Sequence, residues 1–315
     1  MLKIAIVGCG GIGLTHARTL KELEGVNIAA CVDLDLSRAQ KGCDLCGGVA
    51  LDSVDRLPSD IDGVTVAAQP AAHYKIVKSL LEKGFNVFCE KPLTMETESC
   101  EELRMLAEAK SCILMVGFKM RFEPVFQKAR ELLPRIGKLL SVSSVKQQPY
   151  TAKPENNWFP KVGAMFELSV HDFDLIHWIA DIQPEEVLFS KLSHRFGWER
   201  EDAFYVTVQY SGGVIGQLQG MYTQECNFMF RDFTATFVGE KGYLRIERPD
   251  RVVLHTDEYS VHEVEPGKVN AFAEELKHFR NVLQGKEVNT LTAAAGTNAT
   301  FIADKAFKST NRGNL

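Results

Sequence analysis

Residues 2–13, Leu2-Lys3-Ile4-Ala5-Ile6-Val7-Gly8-Cys9-Gly10-Gly11-Ile12-Gly13, join an apolar β-like run to a glycine turn, and a helical pattern follows over Leu14–Leu23. The spacing is G-x-G-x-x-G between a strand and a helix. Gly8 suits the tight turn, Gly10 lets the backbone approach a pyrophosphate, and Gly13 lets the helix pack on its strand. The helix N-terminus, at Gly11 and Ile12, points unsatisfied N–H groups and a partial positive charge at the same phosphates. A second apolar run, Val26–Val32, ends in Asp33, about 20 residues beyond the third glycine, where a carboxylate meets an adenosine ribose. That carboxylate accepts charge-assisted hydrogen bonds from the ribose hydroxyls and repels a 2′-phosphate. Asp35 adds to the repulsion, and only Arg38, a turn into the next helix, offsets it. NAD is therefore expected over NADP.

The 315 residues exceed what one core normally holds, so two domains are expected. Lys plus Arg number 36 against 41 Asp plus Glu, a net charge of −5, with no basic cluster. Neither nucleic acid nor an anionic membrane is expected as a partner. No stretch approaches the ~18 apolar residues of a membrane span, and the opening run reads as a strand rather than a signal peptide. Of the eight cysteines, Cys9, Cys31, Cys89 and Cys112 fall in apolar elements, which fits small buried fillers in a reducing cytoplasm. Cys43-Asp44-Leu45-Cys46 has no second pair at zinc spacing and reads as a helix end, so no metal is expected.

Strands and helices alternate over residues 1–120, the rhythm of a doubly wound parallel sheet, with strands at Lys3–Val7, Asn27–Val32, Gly63–Ala67, Asn86–Cys89 and Ile113–Gly117. Pro58 and Pro70 fall in connections. Residues 121–315 read differently: a helix over Glu123–Leu133, a strand over Lys138–Gln147, and a polar loop over Gln148–Pro160. A helix over Ala164–Ala180, six strands between Glu185 and Thr256, and two closing helices complete them. The fold expected is α/β: an N-terminal Rossmann sheet and a C-terminal α+β domain with a mostly antiparallel open sheet. Apolar residues on both sides of Val206–Tyr210, Val214–Leu218 and Thr234–Val238 suggest that the open face packs on another subunit.

Gln69-Pro70-Ala71-Ala72-His73 and Glu90-Lys91-Pro92 follow the third and fourth of these strands, at the sheet edge where open α/β sheets bind ligands. Glu90 and Lys91 directly follow a buried strand, so a solvated charge run does not explain them; a structural pair at a domain hinge is the competing reading. Glu167 and His171 stand at i and i+4, on one face of a helix, where a carboxylate can hold an imidazole tautomer and free its other nitrogen as a base.

With these stretches, and with Gly117-Phe118-Lys119-Met120-Arg121-Phe122 and Glu167-Leu168-Ser169-Val170-His171-Asp172-Phe173-Asp174, the chain resembles the glucose–fructose oxidoreductase/inositol dehydrogenase family. The resemblance implies a nicotinamide-dependent oxidoreductase acting on a secondary alcohol of a sugar or polyol. It implies that Lys91 touches nicotinamide and substrate hydroxyl, that His171 is the base oriented by Glu167, and that Gln69, Pro70, His73 and Glu90 lie along the cofactor. Lys119, Arg121, Trp158 and Asp174 are the expected substrate contacts. Relatives carry Asp where this chain has Glu167, and inositol dehydrogenases carry a Met-Arg pair where it has Lys119 and Met120, which turns the expectation away from inositol itself. The resemblance also implies a homodimer or homotetramer. An NAD-dependent glycosidase and a non-catalytic NAD-binding regulator share the fold; retention of Lys91 and His171 argues for an enzyme.

Overall fold

The computed structural model describes residues 1–150, 158–224 and 232–312. The chain divides into two compact units, Met1–Lys119 with Asn270–Thr297, and Met120–Val269 with Asn298–Leu315. The first holds six parallel strands: β1 (Leu2–Val7), β2 (Val26–Val32), β3 (Val49–Leu51), β4 (Gly63–Val66), β5 (Val87–Glu90) and β6 (Leu114–Gly117). They lie in the order β3-β2-β1-β4-β5-β6. Helices α1 (Gly11–Glu22), α2 (Leu36–Cys46), α3 (Pro70–Glu82) and α4 (Thr97–Ala109) run between them. β4 and β6 are buried along their whole length, as parallel strands covered on both faces must be. From β1 the chain winds outward to β3, returns beside β1 as β4, and winds outward the other way. Such a reversal opens a crevice at the carboxyl ends of the two strands that meet there.

Two local departures from the sequence reading have simple causes. β3 is an added strand; its three residues, preceded by Gly47 and Gly48 at φ +87°, are too few for a strand periodicity to register. Pro70 is the first residue of α3 rather than part of a connection, since the first helical position needs no N–H donor.

The second unit is built on eight strands: β7 (Leu139–Pro149), β8 (Pro184–Ser193), β9 (Ala203–Tyr210), β10 (Val214–Thr223), β11 (Asp232–Gly239), β12 (Gly242–Glu247), β13 (Arg251–His255) and β14 (Tyr259–Glu263). Their order is β14-β13-β12-β11-β7-β10-β9-β8, and only β7 with β10 is a parallel pair. The edge strand β14 is the one that the sequence reading does not single out. Helices α5 (Pro124–Leu132), α6 (Phe159–Ala164) and α7 (Val170–Ala180) belong to this unit. One face of the sheet is buried: Phe233 meets Phe126 of α5 and Phe204 meets Phe173 of α7, each with ring centres 5.7 Å apart.

On the other face the expected apolar surface is mixed. Ser143, Thr207, Gln209, Gln217, Gln219, Thr234 and Thr236 share it with exposed Tyr205, Ile215 and Val238. Strand alternation sends most of the apolar residues of these strands to the helix side.

The expected regular helix over Ala164–Ala180 is interrupted. Met165–Ser169 form a π turn, whose wider spacing buries Met165, Phe166, Leu168 and Ser169 together, more than one stripe of an α-helix allows. The sequence reading also placed all of 121–315 in one domain. Helix α8 (Ala271–Leu283), however, packs in the first unit, as does the start of α9 (Ala293–Arg312). The cause is packing that no local pattern announces. Gly63 leaves room for Phe279 and Leu283, either of which would lie 2.9 Å from a Cβ there. Phe279 meets Phe88 at 5.6 Å, and Val116 N–H donates to Leu291 O at 2.9 Å.

Candidate active site

In the first unit the glycine turn has the shape its spacing demands. Gly8 sits at φ +87°, and a Cβ on it would fall 2.7 Å from the Ala67 backbone; one on Gly13 would fall 1.7 Å from Gly8 O. Gly10 has nothing within 4 Å on its Cβ side. α1 starts at Gly11 with no side-chain cap and no acidic residue in its first turn, so its leading N–H groups are available to an anion. Asp33 is held by two backbone donors, Cys9 N–H to Oδ2 at 2.8 Å and Asp35 N–H to Oδ1 at 3.0 Å. Hydrogen bonds from Ser37, which Asp35 caps at the start of α2, lower the Asp35 pKa, and Arg38 Nε lies 3.6 Å from Asp35. Arg38, the base that could offset the repulsion of a 2′-phosphate, thus already lies beside a carboxylate.

An open glycine, an uncapped helix start and a fixed carboxylate fit a dinucleotide with free ribose hydroxyls. Titrating NADH and NADPH fluorescence should show the wild-type chain preferring NADH. Asp33→Ala should weaken NADH binding about tenfold or more and narrow the preference, at ~1.5–3 kcal/mol for a hydrogen bond to a charged group. A wild-type preference for NADPH would refute the charge argument.

Glu90 ends β5, beside Gly117 of β6. Its Oε1 faces His16 Nε2 at 3.0 Å and its Oε2 accepts the Lys91 backbone N–H at 3.3 Å. The Lys91–Pro92 peptide is cis. His73, expected along the cofactor, is 1% exposed. Its ring spans from Pro92 O (2.7 Å from Nδ1) to Ala68 O (3.0 Å from Nε2), and burial lowers its pKa. It therefore lies between the loop after β4 and the loop after β5, where a neutral imidazole donates to one of the two carbonyls. Gln69 caps α3 with its backbone alone, without a side-chain cap bond. Lys119 places Nζ 3.6 Å from the centre of the Phe272 ring on α8. Pairing over a ring favours a cation at that point.

In the second unit, Glu167 lies in the π turn and accepts a hydrogen bond from the Tyr222 hydroxyl of β10. His171 follows in the first turn of α7 and is 7% exposed. A π turn at such a motif is itself a frequent mark of a functional site. Asp172 pairs with Lys146 of β7 at 2.9 Å, both buried; burial raises its pKa and the lysine pulls it back. Trp158 stacks edge-on with Phe159, ring centres 4.5 Å apart, beside an aromatic group that includes Tyr150 and Tyr222.

Arg121 and Asp174 correct the sequence reading. They are not open to a substrate but form a two-pronged ion pair, with Arg121 Nε donating to Asp174 Oδ2 at 2.8 Å and a second bond from Nη2 to Oδ1. Their side chains are 6% and 1% exposed.

Several groups here escaped the sequence reading: Tyr222, Lys146, His16 and Glu275. For Glu275 a signal existed. It shares the apolar stripe of α8 with Leu276, Phe279 and Val282, where a carboxylate has no ordinary reason to be.

A parallel sheet that reverses at β1, with a glycine cradle at that point, defines a dinucleotide-binding protein. Comparison makes the class specific. Residues 2–118 match the NAD-binding Rossmann fold of the oxidoreductase family, and residues 130–314 match that family's C-terminal alpha/beta domain. The chain belongs to this family of NAD-binding oxidoreductases, which includes enzymes named for inositol. It is 33% identical to a myo-inositol dehydrogenase from Streptomyces leeuwenhoekii, over 56% of this chain and 55% of that protein, so the match spans about half of that relative. It is 27% identical to a 2,7-anhydro-N-acetylneuraminate hydratase from Mediterraneibacter gnavus, over 97% of this chain and 93% of that protein. An oxidoreductase from Agrobacterium radiobacter, solved with NAD+, L-tartaric acid and magnesium, shares the fold, with a TM-score of 0.88, 16% identity, and coverage of 99% and 97% of the two chains. Among the described residues no helix is long and apolar enough to cross a membrane.

Proposed function

We propose that this protein transfers hydride between NAD and a secondary alcohol or carbonyl of a sugar, polyol or sugar derivative. One observation carries the reading: in an NAD-binding Rossmann unit, Lys91 leaves the carboxyl end of β5 with its backbone pinned by Glu90. Relatives named for inositol dehydrogenation support the substrate class. NAD, when bound, supplies the hydride acceptor. His171 removes the hydroxyl proton as the C–H bond breaks, and Glu167, itself held by Tyr222, orients the imidazole. Lys91 donates to the same oxygen and favours the negative charge that develops there. In the reverse direction these groups polarise and protonate a carbonyl. Trp158 and Lys119 remain the proposed substrate contacts. Gln69 and Pro70 flank the cofactor at the start of α3.

A second reading rests on the hydratase relative, which aligns along nearly the whole of both chains. In that case oxidation is transient and no reduced cofactor accumulates. A panel of sugars, polyols and sugar acids with NAD separates the two. Accumulation of NADH absorbance with an alcohol substrate supports the dehydrogenase. Consumption of an anhydrosugar or an aryl glycoside without NADH supports the transient route, and turnover of neither class would leave the non-catalytic regulator. We further propose that a second copy of the chain covers the Thr- and Gln-bearing face of the eight-stranded sheet, which light scattering after size exclusion tests. The seven described cysteines are free, which supports a reducing compartment such as the cytoplasm.

A further inference from the structure

Glu275 is a buried carboxyl group that the proposed reaction leaves unused. It is fully enclosed on α8, and neither of its oxygens has a hydrogen-bond partner among the described residues. Leaving such a group charged and alone would be costly. Its company is Glu90 of β5 and His16 of α1, and the three side chains each offer an atom within 4.8 Å of the others. Lys119 is the remaining charge acting on it.

Glu90 has little freedom to withdraw. One oxygen faces His16, the other holds the Lys91 N–H, and the carboxylate lies 3.1 Å from where a Cβ on Gly117 would stand. Two carboxylates this close in a dry site do not both ionise. Burial opposes the Glu90 anion, but the His16 hydrogen bond and the charges of His16, Lys119 and Lys91 outweigh it and lower its pKa. Burial, then the Glu90 charge, drives the Glu275 pKa well upward. The division of roles follows: Glu90 carries the charge and Glu275 the proton.

We propose that Glu275 is a neutral acid set against the Glu90 anion, and that this pair, braced by His16, holds Glu90 and through it the backbone of Lys91. Glu275 is then a positioning residue; its link to Lys91 rests on the dehydrogenase reading above. When Glu275 ionises at alkaline pH the two anions repel, Glu90 is displaced, and turnover declines. A carboxamide at 275 stays neutral beside Glu90 and cannot ionise, so the Glu275→Gln chain lacks that decline. The same sign applies to stability. The unfolded chain releases this proton at low pH and the folded chain retains it, so Glu275 costs stability increasingly as pH rises toward its folded pKa. Glu275→Gln should therefore melt higher than wild type at neutral pH, with a gap that closes in acid.

The first measurement needs no substrate. The infrared difference between wild type and Glu275→Gln at neutral pH should show the C=O stretch of a protonated carboxyl in the wild type alone. An ionised carboxylate there, or one equivalent of tightly held zinc found on elemental analysis of the wild-type chain, overturns the proposal. The second uses NAD with an alcohol that reduces it. Glu275→Ala should lose at least about tenfold in kcat with KM for NAD within about threefold, and Glu275→Gln should recover to within about threefold. Full kcat in Glu275→Ala removes the positioning role. Failure of every alcohol to reduce NAD counts against the dehydrogenase reading, while the infrared result still decides whether the proton is held.

Discussion

Lys91→Ala is expected to lower kcat by about 10²–10³ while leaving NADH affinity within about threefold, because in the proposed mechanism it deletes a donor that acts where charge develops rather than where the cofactor is gripped. The proposed grip lies elsewhere in the first unit: at Gly10, at the uncapped start of α1, and at Asp33, whose carboxylate is fixed by Cys9 and Asp35 N–H groups. Removing an ammonium at the end of β5 leaves all of these in place. The Glu90 bond to residue 91 also survives, since it runs to the backbone N–H that alanine retains. Lys91→Arg should not restore activity, for a planar fork on a longer stem presents its donors at another point than a compact ammonium. Steady-state kinetics with the first active alcohol, and NADH fluorescence titration on the same variants, give the two readouts. Unchanged kcat in Lys91→Ala would remove this lysine from the mechanism.

Asp174→Ala should cost about 3–5 kcal/mol of stability, seen as a lower midpoint of urea unfolding, because it strands the Arg121 guanidinium in a buried site. The two side chains are 6% and 1% exposed and joined by two hydrogen bonds, so neither water nor another carboxylate replaces the lost partner. The pair itself adds little net stability, since burial pushes the Asp174 pKa up even as Arg121 pulls it down. The double replacement Arg121→Met with Asp174→Leu should therefore recover most of the loss. A loss under about 1 kcal/mol in Asp174→Ala would mean that the pair is reached by water and behaves as a surface ion pair.

That pair also shows where sequence reasoning reaches its limit. Arg121 and Asp174 stand in stretches that resemble family motifs, and charged residues in such stretches read as substrate contacts. Nothing local indicates that they neutralise each other, because the contact joins positions far apart in the chain. Tyr222 on Glu167 and Lys146 on Asp172 are long-range contacts of the same kind. His73 is a related case: its position at the start of α3 places it near the ligand edge, and only the folded loops show its ring turned inward between two carbonyl groups. The π turn at Met165–Ser169 is equally silent in a window read at 3.6 residues per turn.

By itself the sequence determined five of the six strands of the first unit's sheet, the glycine cradle and Asp33, because each depends on neighbours within one strand–turn–helix segment. Backbone angles, helix starts and a buried parallel strand are short-range matters. Tertiary structure alone decided which charges face each other, that α8 leaves the C-terminal stretch to pack beside β4 and β5, and that a carboxyl on its apolar stripe ends up against Glu90. Those outcomes follow from excluded water and from the matching of distant surfaces, and neither is written in the residues next door.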